Sequence, residues 1–311
     1  MRRDLHAEVT GRLLEALAEA DERDWRPPWV SMAATGLPEN AATGARYRGV
    51  NVVGLWAETQ LRGFGSARWA TYRQWRRLDA QVRGGERGSR VVFYKPLRRR
   101  DRPGKDGEAD EEEPEEGTIP IMRSSAVFNA DQVDGYEEPN AGSRQEPNGA
   151  ERVPACEALI AATGAEIRRN AGRAFYDPEG DYIGLPADEL FGSTEGRYAT
   201  VFHELTHWTG HRSRLDRGEA MAARFGSAAY AAEELVAELG AAFLCAGFRL
   251  EPEPRPDHAA YIKRWIRLLE DDRRAIFTAA SRASDAVELI ERARDASAVE
   301  PAPGSGLGRA A

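Results

Sequence analysis

Leu5, Val9, Leu13 and Leu17 recur every four residues, with Leu14 beside them. That is the stripe of an amphipathic helix, and Asp4 stands where its N-cap belongs. The stripe stops ahead of Trp25-Arg26-Pro27-Pro28-Trp29, where two adjacent prolines forbid helix. Beyond a turn-rich stretch to Asn40, the pattern predicts a second helix over Val50–Leu61 and a third over Trp69–Leu78. Gly84, Gly85 and Gly88 suit a tight turn. Arg90–Pro96, which reads RVVFYKP, predicts a β-strand, and strand-like order resumes over Ser125–Val133.

Between these two strands the chain changes character. Arg98-Arg99-Arg100 gives way to DGEADEEEPEEG, with eight acidic residues. Such a block has no core-forming side chains and is expected to be a disordered loop, about 101–118. If the flanking strands pair, this loop lies inside a first domain. The polar stretch 137–152 (EEPNAGSRQEPNGAER) is then the better linker. After it, a helix is expected near Cys156–Thr163, a hairpin over Phe175–Pro186 turning at Pro178–Asp181, and helices at about 196–209, 228–246, 258–270 and 272–294. The expected class is α+β in two domains: one to about residue 140, and a mainly helical one over 153–296, followed by a disordered tail, 297–311. A polar linker with Pro, Gly and Asn predicts that the halves are separable.

Composition narrows the options. No apolar run approaches the roughly 20 residues of a membrane span, and the acidic N-terminus is not a signal peptide. The two cysteines, Cys156 and Cys245, sit among small and apolar residues, which predicts buried free thiols and a reducing, cytoplasmic setting.

The net charge of −8 conceals an asymmetry. Residues 1–100 carry 19 basic and 11 acidic side chains, and the segment Arg46–Arg100 carries 14 against 3. A local basic excess in an acidic chain is an electrostatic footprint whose usual partner is nucleic acid. Cations and rings alternate at Arg46-Tyr47-Arg48 and along Trp69, Tyr72, Arg73, Arg76 and Arg77, with Arg87, Arg90 and Lys95 following. Guanidinium groups for phosphate and rings for base stacking are the parts that hold single-stranded DNA. The plainer reading puts Trp56, Trp69 and Tyr72 in a core.

His203-Glu204-Leu205-Thr206-His207 is an HExxH sequence, and it uses two of only five histidines. Residues four apart on a helix share a face, so both imidazoles can bind one zinc ion. Glu204, beside the first, is placed to serve as general base toward water. A catalytic zinc needs a third protein ligand. His211 follows Gly210, which is expected to end the helix. The pattern HExxHxxGxxH fails because Ser213 occupies its last position. The helix Glu233–Phe243 remains: Leu235, Leu239, Ala242 and Phe243 form a buried stripe, and Glu234 and Glu238 share a face along its border. Glu234 is expected as the ligand, Glu238 as the carboxylate that orients an imidazole, and Glu233 as solvent-facing. Small residues in this helix suit close approach of a second helix.

Several longer segments resemble the ArdC-type antirestriction proteins of conjugative plasmids and other mobile elements. They are ATGARYRGVNVVGLW, ATYRQWRRLDAQVRGGERGSRVVFYKP and AVFNADQV in the first half, and AFYDPEGDYIGLP, YATVFHELTHWTGHRSRL and YAAEELVAELGAAFLCAGF in the second. With HAAYIKRWIRLLEDDRRAIFTAASRASDAVELI they cover about residues 4–294. The resemblance implies an N-terminal domain that binds single-stranded DNA and a C-terminal zincin-like metallopeptidase acting on an unidentified protein. It implies one zinc per chain on His203, His207 and a glutamate of EELVAE, with Glu204 catalytic. The acidic block matches no motif of the family and reads as an inserted loop. Two rival readings remain: a protease that clears proteins from DNA, and a DNA-binding module whose zinc is not catalytic.

Overall fold

The computed structural model describes residues 4–18, 29, 32–96, 120–137, 149–169, 171–218, 227–251 and 258–299. The acidic block, most of the linker expected at 137–152 and the stretch from Glu300 onward lie outside them, as do Trp25 to Pro28.

Helix α1 is Leu5–Ala18. Asp4 starts it by accepting from the amides of His6 and Ala7, and Val9, Leu13 and Leu17 are buried, as their spacing requires. Helix α2 is Val50–Arg62, and it ends on Gly63, whose φ of 67° is the left-handed turn that suits glycine. The third predicted helix is shorter than expected. Arg68–Ala70 forms strand β2, and only Tyr72–Arg77 is helical, as α3. Thr71 separates them. Its backbone is extended, and its side chain forms a capping box with Gln74. The chain therefore enters α3 three residues after Trp69, not at it.

Strand β2 lies in a four-stranded sheet between β1 (Glu39–Asn40), parallel to it, and β5 (Pro120–Asn129), antiparallel. On the far side of β5 runs β4 (Ser89–Pro96), antiparallel from Ser89 opposite Val127 to Pro96 opposite Pro120. The two predicted strands do pair, so the acidic block connects neighbouring strands of one sheet. A two-stranded ribbon, β3 (Gln81–Val82) with β6 (Val133–Asp134), flanks it.

In the second half, α4 (Gly149–Ala162) precedes a three-stranded sheet. The expected hairpin is β8 (Phe175–Asp177) with β9 (Tyr182–Gly184). The pattern did not reveal β7 (Glu166–Arg168), which runs parallel to β9. Helices α5 (Thr194–Thr209), α6 (Ala228–Gly247), α7 (His258–Asp271) and α8 (Ala275–Val299) complete the chain. The last runs past the expected start of the tail. No helix among the described residues is long and apolar enough to cross a membrane. Both cysteines are buried and free, and burial pushes the Cys156 thiol up to about 12.

The main hydrophobic core does not respect the expected domain boundary. Val9, Leu13, Val53 and Trp56 from α1 and α2 belong to the same cluster as Phe202, Leu239, Phe243 and Ile290. Trp56 packs on Phe243 with ring centroids 5.7 Å apart, and Trp29 meets Trp265 at 5.8 Å. The Thr10 hydroxyl donates to the carbonyl of Arg273, and the Gly49 amide donates to Ser284 Oγ. The expected separability of the halves is thereby corrected: a polar linker does not make two cores when the helices on either side of it bury their stripes against each other. The first half retains two small clusters of its own, around Trp75 and around Trp69.

Candidate metal centre

Ser193 caps α5, accepting from the amide of Gly196, and the helix carries His203 and His207 on one face. Their rings stand 4.8 Å apart, nearly perpendicular. Helix α6, capped by Ser227, crosses that face closely. A Cβ built on Gly240 would lie 2.5 Å from both Oγ1 and Cγ2 of Thr206, so glycine is what lets the two helices meet, as the small residues of α6 suggested.

That approach delivers three carboxylates to the two imidazoles. Glu234 faces both: its Oε2 is 3.7 Å from Nε2 of His203 and its Oε1 is 3.7 Å from Nε2 of His207. Donor atoms of His203, His207 and Glu234 all lie within 4.8 Å of one another. Ligands about 2.0–2.1 Å from a tetrahedral zinc stand about 3.3 Å apart, so small side-chain movements would close these donors on one ion. Two neutral imidazole nitrogens and a carboxylate are also a fitting donor set for a catalytic divalent metal, since they leave a coordination position open. Glu204 is buried beside them and its charge is felt at His207.

The far side of each ring meets its own carboxylate. Glu238 Oε1 lies 3.1 Å from Nδ1 of His203, although off the line of a hydrogen bond. Glu233 Oε1 lies 3.3 Å from Nδ1 of His207. An ionised carboxylate can only accept, so each contact favours the tautomer with its proton on Nδ1 and a free Nε2 lone pair. Burial alone would lower the pKa of His207, but the hydrogen bond to Glu233 and the charges of Glu234, Glu233 and Glu204 outweigh it and raise the pKa.

Glu233 corrects an expectation. It is 2% exposed, not solvent-facing, and Arg217 grips it at 3.0 Å. Every residue of α6 from Glu233 to Ala246 is buried, so the helix has no solvent side there to offer a carboxylate. Arg217 itself carried no local pattern. His211 lies outside the cluster, its Nδ1 2.7 Å from Ser213 Oγ.

The residues expected to meet DNA fall in different surroundings. Trp69 is fully buried with Leu55, Val91 and Val127, so it cannot stack on a base, and its expected role is corrected to that of a core residue. Tyr47 is half-buried and accepts from Asn40. Arg46 and Arg48 are ion-paired to Glu291 and Glu288 of α8, and Arg90 lies 3.7 Å from Glu8. Tyr72 remains 43% exposed, and Arg73, Arg76, Arg77 and Arg87 are exposed as well. Lys95 is in β4 where only the backbone is described.

Comparison with known proteins agrees with this layout. Residues 154–282 match the zincin-like metallopeptidase family, and residues 3–128 match the N-terminal domain of anti-restriction factor ArdC. The chain is 42% identical to the uncharacterized protein y4eC of Sinorhizobium fredii over 92% of its own length and 91% of the relative's. It is 36% identical to the DNA primase TraC of Escherichia coli over 98% of its length, but spans only 29% of that protein. Among solved structures, the metal-free antirestriction ArdC protein from the R388 plasmid superposes with a TM-score of 0.75 at 40% identity, covering 94% of this chain and 99% of that one. The Mn(II)-bound structure of the same protein gives 0.73 at 39% identity, covering 94% and 98%. The chain thus belongs to the ArdC antirestriction family, with a zincin-like domain in its second half.

Proposed function

We propose that this protein protects the incoming DNA of a mobile element from restriction, binding single-stranded DNA through its first half and carrying a zinc-dependent peptide-hydrolysing centre in its second. The observation that carries the enzymatic part is the convergence of His203, His207 and Glu234 on one point beside the buried Glu204. These three residues would hold the ion, one per chain. When bound, zinc supplies Lewis acidity toward a carbonyl oxygen and makes water more acidic.

The chain's own groups do the rest. Glu233 holds the His207 proton on Nδ1 by hydrogen bond, the charge of Glu238 beside His203 Nδ1 favours the same tautomer there, and both rings face Glu234. Glu204 takes a proton from the attacking water and returns it to the departing amine nitrogen. The carboxylates around the site keep the Nε2 face of both rings directed inward. The substrate is a protein segment able to reach this face.

The DNA part rests on membership of the family and on the exposed ring and guanidiniums of α3. The decisive comparison is Glu204→Gln against the parent, with peptide hydrolysis, zinc content and single-stranded DNA affinity measured on each. Hydrolysis should fall by at least about a hundredfold, with zinc and DNA binding retained. Equal hydrolysis in both proteins would leave a DNA-binding protein whose metal is not catalytic.

A further inference from the structure

Behind His207 stands a buried cation. Arg217 lies in the turn that follows α5, with its side chain only 4% exposed. Its guanidinium is fully engaged. Nε donates to Glu233 Oε2 at 3.1 Å, and Nη2 donates to Glu233 Oε1 at 3.0 Å. Nη1 donates to Thr209 Oγ1 at 3.1 Å, and Nη2 also reaches the carbonyl of Thr206 at 2.7 Å. Thr206 and Thr209 belong to the end of α5, where carbonyls lack helical partners and a cation is favoured. The turn is fastened to the same helix end, since the amide of Arg217 donates to the carbonyl of Gly210 at 2.8 Å and that of Leu215 to Thr209 at 3.0 Å. One side chain therefore joins the C-terminal turn of α5 to the base of α6.

The bond matters because of what Glu233 does with the same oxygen. Its Oε1 accepts from Arg217 and also stands 3.3 Å from Nδ1 of His207. We propose that Arg217 is a positioning residue for the metal centre: by clamping Glu233 in two-pronged fashion it fixes the orientation and tautomer of His207, so that divalent-cation affinity depends on an arginine that contacts no ligand atom. The inference rests on the reading that His203, His207 and Glu234 hold the metal. Lysine is a poor substitute at this position, because a single ammonium cannot grip both carboxylate oxygens in plane and also reach Thr209 and the Thr206 carbonyl.

The full-length protein tests this, with zinc as the probe in a chelator competition. Parent, Arg217→Met, Arg217→Lys, Glu233→Gln and the Arg217→Met/Glu233→Gln pair are compared, and the thermal midpoint of each metal-free protein is recorded alongside. Arg217→Met should weaken zinc binding by about tenfold or more, and Arg217→Lys should recover only part of the loss. The double variant should bind no more weakly than Glu233→Gln alone, because the arginine acts through that carboxylate. Zinc affinity unchanged in Arg217→Met while its thermal midpoint falls would make Arg217 a structural strut and overturn the proposal, as would losses that simply multiply in the double variant. Should Arg217→Met fail to fold, Arg217→Lys carries the test, and parental zinc affinity there is equally fatal. A parent whose zinc survives His203→Ala removes the metal-centre reading itself, whereas a parent that binds through His203 with an indifferent Arg217 removes this inference alone.

Discussion

Gly240 on α6 and Thr206 on α5 leave no room between them for a side chain: a Cβ on Gly240 would fall 2.5 Å from the Thr206 hydroxyl. Thr206 cannot easily turn away, because that hydroxyl donates to the Phe202 carbonyl at 2.8 Å within a buried helix. Gly240→Ala therefore forces the helices apart or Thr206 out of its rotamer, at a cost of about 1–3 kcal/mol. Because the displaced helix carries Glu234, zinc affinity should fall along with thermal stability. A variant as stable as the parent with unchanged zinc binding would contradict the close packing.

The two borderline glutamates should separate cleanly. Glu234→Ala removes the carboxylate that faces both Nε2 atoms at 3.7 Å and should abolish stoichiometric zinc. Glu238→Ala removes only the partner of His203 Nδ1 and should weaken zinc by roughly 10–100-fold. Metal analysis by mass spectrometry decides, and the opposite ranking would exchange their roles.

The shared core predicts cooperativity. Trp56 is 2% exposed and packs against Phe243, so Trp56→Ala should cost about 3–5 kcal/mol, a large share of a typical 5–15 kcal/mol. The loss should appear in the unfolding of both halves together. A fragment ending near residue 140 exposes Leu13, Val53 and Trp56 and should lack a sharp thermal transition. A well-folded fragment by calorimetry would show that the halves do have independent cores.

For DNA, the exposed face of α3 is distinguished from the buried ring next to it. Replacing Arg73, Arg76 and Arg77 together should weaken single-stranded DNA binding for all sequences alike and flatten the dependence of affinity on salt. Tyr72→Ala should cost about 1–3 kcal/mol of binding if a base stacks on the ring. Trp69→Ala, by contrast, should lower thermal stability first. An unaltered salt slope in the triple variant would place the DNA elsewhere.

Acid sensitivity should show at Asp181. Arg214 donates to both of its oxygens, one at 3.0 Å, and the Tyr176 hydroxyl donates at 2.8 Å. The hydrogen bonds from Arg214, ahead of that from Tyr176, hold this carboxyl below the usual range despite partial burial. A lowered acid stabilises the fold above its unfolded pKa, about 3.9, and the contribution disappears as pH falls through the lower folded value. Asp181→Asn, which tolerates the φ of 51° there, should be less stable than the parent by about 1 kcal/mol at neutral pH, given the partial exposure. The gap should narrow below about pH 3.9. Denaturant melts at both pH values check this, and a gap that widens in acid would reverse the assignment.

Whatever depends on residues close in sequence was legible without coordinates. The four-residue period that joins His203 to His207, the stripe of α1 with its Asp4 cap and the Arg90–Pro96 strand are all local regularities of a helix or a pleat. That Glu234 and Glu238 share a face is likewise a matter of the helical period. What the local pattern could not decide was which surfaces meet. Trp69 reads as a stacking ring among cations until β2 is seen at the centre of a sheet. Glu233 reads as solvated until α6 is found covered on every side. Arg217 carries no periodicity at all, and its partner lies sixteen residues away on α6. The shared core around Trp56 and Phe243 required the largest non-local step, because burial is set by how much apolar surface the assembled elements can remove from water together, and no window of the chain contains that sum.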